Sequence, residues 1–162
     1  MRYIRAMVEL DDVDRRMIDA LRSDGRMTAP MLAERLGIGR ATAYSRFDRL
    51  IDRGVIDGFS ARVDTAAVGL TVSALVLVDV RQHLWRDLRA ELTALPGVEW
   101  LGVATGRFDF ILLVRADSLA HLRDVALREL QQIEGVRSAE TVVLLDEIDR
   151  RDRPIWPASP QR

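Results

Sequence analysis

The stretch RATAYSRFDRLIDR, residues 40–53, gathers the most suggestive chemistry in the chain. At helical spacing Ala43, Phe47, Leu50 and Ile51 fall on one side, and Arg40, Thr42, Tyr44, Ser45, Arg46, Arg49 and Arg53 on the other. Guanidinium groups pair with guanine edges or phosphate, and the methyl groups of Ala41 and Thr42 suit a thymine methyl. A helix offering this face to a duplex would read bases with Arg40, Ala41, Thr42, Tyr44 and Ser45, which lie near its N-terminus. Arg46, Arg49 and Arg53 lie further along and suit phosphates, which give affinity and register but no sequence information. The competing reading is a solvated arginine surface on a small helical bundle, and Asp48 and Asp52 dilute the positive field.

A second group lies at Gly106-Arg107-Phe108-Asp109. Gly106 would let backbone amides approach a carboxylate, and Asp109 would accept from an ammonium or a backbone donor. The same residue types also serve an ordinary hairpin turn. Cysteine is absent, which removes disulfides, thiolate metal sites and cysteine nucleophiles. Two histidines, His83 and His121, are too few for a histidine-rich metal site. No metal, cofactor or catalytic group is expected.

Three helices must position the arginine face. Asp11 caps the first, whose Val13, Met17, Ala20 and Leu21 share a side, and Ser23-Asp24-Gly25 ends it. Thr28 caps the second, Pro30 is tolerated in its first turn, Leu32, Ala33 and Leu36 point inward, and Gly37 closes it. Only Ile38 and Gly39 separate that cap from the third helix, which Gly54 ends. Two helices joined by so short a glycine-containing turn have helix-turn-helix geometry.

Residues 56–63 read as a short hinge strand and 64–70 as a linker. Strands follow at 71–80, 98–104, 108–114 and 136–145. Between them lie a helix carrying Leu84, Trp85, Leu88, Leu92 and Leu95, and one capped by Ser118 that carries Leu119, Leu122, Ala126 and Leu130. Pro96-Gly97-Val98 and Glu134-Gly135-Val136 echo each other at the helix ends. This order predicts a ferredoxin-like βαββαβ unit with both helices on one face of an antiparallel sheet. A sheet wet on its other face should alternate, yet 74–78, 111–114 and 142–145 are apolar at consecutive positions. A second copy of the chain is the simplest cover for that face, the chain's own hinge or tail the alternative.

The whole is therefore α+β. An extension (1–9) precedes a helix-turn-helix domain (10–55), a hinge (56–70), a βαββαβ domain (71–149) and an irregular tail (150–162) holding Pro154, Pro157 and Pro160. All 24 basic residues are arginine, yet 25 acids leave a net charge of −1, so any positive field for nucleic acid must be local. No run approaches the roughly 18 apolar residues of a membrane span, and residues 1–10 lack a signal-peptide core, so a cytoplasmic location is expected.

Taken together, these residues resemble the leucine-responsive regulator / AsnC family, the feast/famine regulators. The likeness rests on Leu10-Asp11 with Asp14-Arg15, Asp24-Gly25-Arg26, Leu36-Gly37, Arg46 with Leu50, Gly54-Val55-Ile56, Gly69-Leu70, Pro96-Gly97-Val98, Gly106-Arg107-Phe108-Asp109 and Gly135-Val136. The resemblance implies a winged-helix-like DNA-binding domain, a swapped hinge strand, and a ligand-binding domain known as RAM. It also implies double-stranded DNA as partner, and homodimers formed through the RAM sheets and often assembled into octamers. Amino-acid effectors would be held near Val103, Gly106, Arg107, Asp109, Leu119, Val142, Val143 and Leu144. Where relatives usually open the recognition helix with Ser-Pro, this chain has Gly39-Arg40, so the operator sequence does not carry over. Two other readings share the architecture. One is an enzyme similar to the siroheme decarboxylases, for which His83, His121, Arg107 and Arg115 are available. The other is a ligand-binding module without DNA function.

Overall fold

The first helix, α1 (Asp12–Ser23), starts where two aspartates cap each other. Asp14 N donates to Asp11 Oδ1 at 2.9 Å, and Asp11 N donates to Asp14 Oδ2 at 3.3 Å. This reciprocal pairing satisfies two amides that a helix start leaves orphaned. Helix α2 (Ala29–Leu36) begins at Thr28, with proline in its first turn, and ends on Gly37 at φ +68°, a left-handed cap. Helix α3 (Arg40–Asp52) follows directly. The computed structural model describes residues 7–81, 85–148 and 154–156. His83, Leu84 and most of the extension and tail lie outside the described residues, as do the side chains of Trp85 and Ala126.

Met17, Ile18, Ala20, Leu21, Leu32, Ala33, Leu36, Ala43 and Leu50 form the core of this helical unit. Burying a side chain the size of Leu32 or Met17 is worth about 1.5–3 kcal/mol. Helix α3 gains less than its neighbours, because only Ala43 and Leu50 on it are fully buried. Ile51, expected inside, is 40 % exposed. Phe47 is half-buried and stacks on Phe59, ring centroids 6.3 Å apart.

The shortfall is met by ions. Asp14 is buried, 1 % exposed, and takes Arg46 Nη1 at 2.8 Å on Oδ1 and Arg49 Nη2 at 2.8 and 2.7 Å on its two oxygens. Arg46 Nη1 also donates to Asp11 at 2.5 Å. Burying a carboxylate costs several kcal/mol unless it is paired and hydrogen-bonded, and here it is both.

The hinge strand expected at 56–63 is not a strand. A strand needs a neighbouring strand to share its ladder of hydrogen bonds, and the described sheet places none beside this segment. Its Phe59 turns instead onto Phe47.

The second unit, Arg62–Glu147, holds strands β1 (Val72–Val80), β2 (Val98–Val103), β3 (Phe110–Ala116) and β4 (Val136–Leu144) in the antiparallel order β2-β3-β1-β4. Helix α4 (Trp85–Ala94) links β1 to β2. Between β3 and β4 run α5 (Leu119–Asp124), a π-helical turn (Val125–Glu129) and α6 (Leu130–Gln132). This is the expected βαββαβ arrangement. The third strand starts two residues later than expected, because Phe108 and Asp109 belong to the turn. Gly97 is required where it stands: its φ is +74°, and a Cβ there would overlap the carbonyl oxygen of Arg115.

Alternate residues of β1 and β3 point to the two faces. Ala74, Val76, Val78, Phe110, Leu112 and Val114 are buried in one core with Leu88, Leu92, Leu122, Val125 and Leu130. On the opposite face the register aligns Trp100, Leu113, Leu75 and Val142 in one row across all four strands. Leu75 and Leu113 are half-buried there, and Trp100 is 53 % exposed, its ring lying on Gly102.

Two outcomes follow from the clamp. Asp14→Asn keeps the shape but removes the charge holding two arginines, so unfolding monitored by circular dichroism should show a loss of about 2 kcal/mol. The second concerns acid. The hydrogen bond from Arg46, helped by the Asp14 amide, holds the Asp11 carboxyl below the usual carboxylate range. A lowered folded pKa gives stability that is full above the unfolded value and is lost as pH falls through the folded one. The advantage of the parent over Asp11→Asn should therefore be present at about pH 5 and shrink towards about pH 3 in acid titrations.

Candidate functional site

Helix α3 is placed by its inner face and presents the remainder outward. Arg40, Ala41, Thr42, Tyr44, Ser45 and Arg53 are exposed, and Tyr44 is 51 % accessible. Arg40 and Arg53 make no ion pair among the described residues, so their donors remain available to a ligand. Gly39 supplies the N-cap with extended backbone and no side-chain bond, leaving the first turn of α3 open to an approaching edge. Arg46 and Arg49 behave differently. Both were expected to reach phosphate, and the structure spends donors of each on Asp14. The carboxylates of Asp11 and Asp14 hold the Arg46 guanidinium still more firmly protonated. These two residues tie α3 to the start of α1.

In the sequence Asp14 is simply an acid in the first turn of a helix, where it suits the helix dipole. The Asp-x-x-Asp spacing was a sign of reciprocal capping. Nothing in the sequence alone paired it with arginines 32 and 35 residues away.

The residues implied for effector binding fall into two groups at opposite ends of the sheet. Val103, Gly106, Arg107 and Asp109 lie at the β2–β3 turn, beside the Val78 end of β1. Leu119 follows β3 at its far end, where Leu144 pairs with Ser73. The length of β3 separates the groups, roughly 20 Å at about 3.3 Å per residue. Val142 and Leu144 share the open face with Leu75 and Ser73, whereas Val143 points to the other face with Ala74. The single chain does not bring these residues into one pocket.

At the turn itself, Gly106 has φ +126° and open space where a Cβ would be. Asp109 is tied into the fold: its Oδ2 accepts from Val80 N at 2.9 Å, its N–H donates to Val78 at 2.9 Å, and its carbonyl accepts from Ala104 N at 2.8 Å. The backbone donor foreseen for Asp109 is present. Arg107 lies over the Phe108 ring, 5.0 Å from its centroid, and reaches Glu140 at 3.8 Å.

Of the polar groups considered for catalysis, His83 lies outside the described residues, and His121, Arg107 and Arg115 each have a carboxylate neighbour. His121 is exposed, with Nδ1 3.2 Å from Asp117. Hydrogen bonds from Ser118 and His121 hold the Asp117 carboxyl below its ordinary range. Arg115 donates to Glu99 at 2.5 Å and also to Ser73 and Glu147. The described residues contain no group of three or more metal-ligating side chains, and none of the described helices is long and apolar enough to cross a membrane.

Comparison with known proteins agrees with both halves. Residues 10–51 match the AsnC-type helix-turn-helix domain, and residues 73–154 match the Lrp/AsnC ligand binding domain. The chain is 37 % identical over 138 residues to the HTH-type transcriptional regulator LrpA of Mycobacterium tuberculosis, covering 83 % of this chain and 90 % of that one. It is 34 % identical over 137 residues to an HTH-type transcriptional regulator of Pyrococcus abyssi, covering 85 % and 87 %. Among solved structures, the L-Met complex of transcriptional regulator NMB0573 from Neisseria meningitidis superposes with a TM-score of 0.81 at 25 % identity, covering 87 % of this chain and 93 % of that one. A helix-turn-helix with an arginine-bearing third helix, followed by a βαββαβ sheet with its glycine turn, thus meets relatives that match along most of the chain, and the protein belongs to the Lrp/AsnC family of transcriptional regulators.

Proposed function

We propose that this regulator binds double-stranded DNA as a homodimer, with α3 of each copy in the major groove, and that an amino-acid effector tunes the binding. The observation that carries the reading is the exposed outer side of the first turns of α3, from Arg40 to Ser45, seated on a buried ion clamp. Arg40, Ala41, Thr42, Tyr44 and Ser45 would contact base edges, and Arg53 phosphate. Arg46 and Arg49 would set the angle of the helix.

The dimer reading rests on the open sheet face. A row running from Trp100 through Leu113 and Leu75 to Val142, ringed by ion pairs at Arg115 and Arg107, has the apolar centre and polar rim of an interface. A second copy would also give the 56–63 segment, which joins no strand of this chain's sheet, a strand to pair with. Further assembly of dimers, up to octamers, would bring one copy's glycine turn towards another copy's Leu119 and Leu144. That meeting of copies is where we place the effector, with an amino-acid carboxylate near the amides around Gly106. The L-Met complex of the Neisseria regulator supports an amino acid as its class. No catalysis is proposed, since His121 and Arg115 are committed to neighbouring carboxylates.

Mobility shifts on DNA upstream of the protein's own gene test the DNA reading. Binding should appear at low salt and fall steeply as salt rises, because phosphate neutralisation releases counterions. Arg40→Ala should change sequence preference, with a loss of about 1–3 kcal/mol on the preferred site, whereas Arg53→Ala should weaken all sequences alike. Parent-like behaviour of both would remove α3 as the reading helix. Light scattering tests the sheet: the parent should run at twice the monomer mass or more, and Leu113→Asp should run as a monomer with unchanged helical signal.

A further inference from the structure

Trp156 stands outside both roles described so far. It lies half-buried against the core of the helical unit, and Arg15 of α1 sits over its ring, 5.6 Å from the centroid. Its indole Nε1 is shut off from water without an acceptor among the described residues. An orphaned buried N–H is a cost, so ring contact and the cation–π interaction must outweigh it. The neighbouring Pro154 and Ile155 are exposed, so the tryptophan is the anchoring group of this piece of chain.

Where it attaches is informative. Arg15 directly follows Asp14, the carboxylate that fixes Arg46 and Arg49 and through them α3. The start of α1 is otherwise thinly covered, with Val13 and Leu10 only half-buried. The segment also departs from a pinned point, since Glu147, the last residue of the sheet unit, accepts from Arg115. The chain therefore enters the sheet unit at Arg62, leaves it at Glu147, and contributes its C-terminal portion to the helical unit.

We propose that Trp156 is a positioning residue for DNA reading: it fastens the start of α1, and so steadies the clamp that sets the angle of α3. It makes the C-terminal segment part of the reading head. The proposal rests on the DNA-binding reading for its effect on affinity, but not for its effect on α1. Base contacts depend on the angle of α3, whereas attraction to phosphate hardly does, so losing the anchor should lower specific binding more than non-specific binding.

The test uses full-length parent, Trp156→Ala and Trp156→Phe. Trp156→Ala should raise hydrogen exchange of the α1 amides about tenfold and weaken binding to the preferred upstream fragment about three- to tenfold, with binding to a scrambled fragment and the particle mass unchanged. Trp156→Phe keeps a ring under Arg15 and removes the orphaned donor, so it should behave like the parent in both readouts. Unchanged α1 exchange in Trp156→Ala would overturn the proposal, as would a Phe variant as impaired as the Ala variant, or equal losses on both fragments. Exchange is measured without DNA, so failure of the regulator reading would show separately, as a parent that prefers no fragment.

Discussion

One buried carboxylate decides where the arginine helix lies. Helix α3 has a narrow apolar seat, and Ala43 and Leu50 alone would tolerate some rolling about its axis. Asp14 removes that freedom. Its charge is stable away from water only while Arg46 and Arg49 both reach it, so the helix has one rotation and one register that satisfy all three groups. The outward set from Arg40 to Ser45 follows from this constraint. A reading surface needs such fixity, because bidentate contacts to base edges fail with small misplacements.

The sheet unit solves the opposite problem. One face is closed by the chain's own helices, with Phe110, Leu112, Val76 and Val78 fully buried. The other is apolar at its centre and charged at its margin, and those margin charges already answer each other, as Arg115 does with Glu99 and Glu147. A surface whose polar groups are satisfied before any partner arrives loses little on being covered. In the family reading, this is how a small domain gains a second half of a core without a long chain.

Much of this was legible in the sequence because it is local. The Asp11 cap, the left-handed Gly37, the Pro96-Gly97 stop and the apolar strand runs each follow from neighbouring residues. What was not legible is long-range. Arg46 and Arg49 sit on a polar helix face and look like phosphate ligands, and only the fold reveals a carboxylate beneath them. The 56–63 segment has strand-like residues, but a strand is a property of two segments, and its ladder partner is not in its own sequence. Likewise, Val142, Val143 and Leu144 are adjacent in sequence yet divided between two faces, while the glycine turn lies at the far end of the sheet.

The tail has a temporal consequence. During synthesis the three helices leave the ribosome before the sheet unit and residue 156 after it, so the helical unit is finished only once the sheet unit has been made. A nascent or prematurely stopped chain would already hold its three helices, but would lack the indole that packs beside α1. Segments made at different moments of synthesis, on either side of the sheet unit, complete a single packed unit.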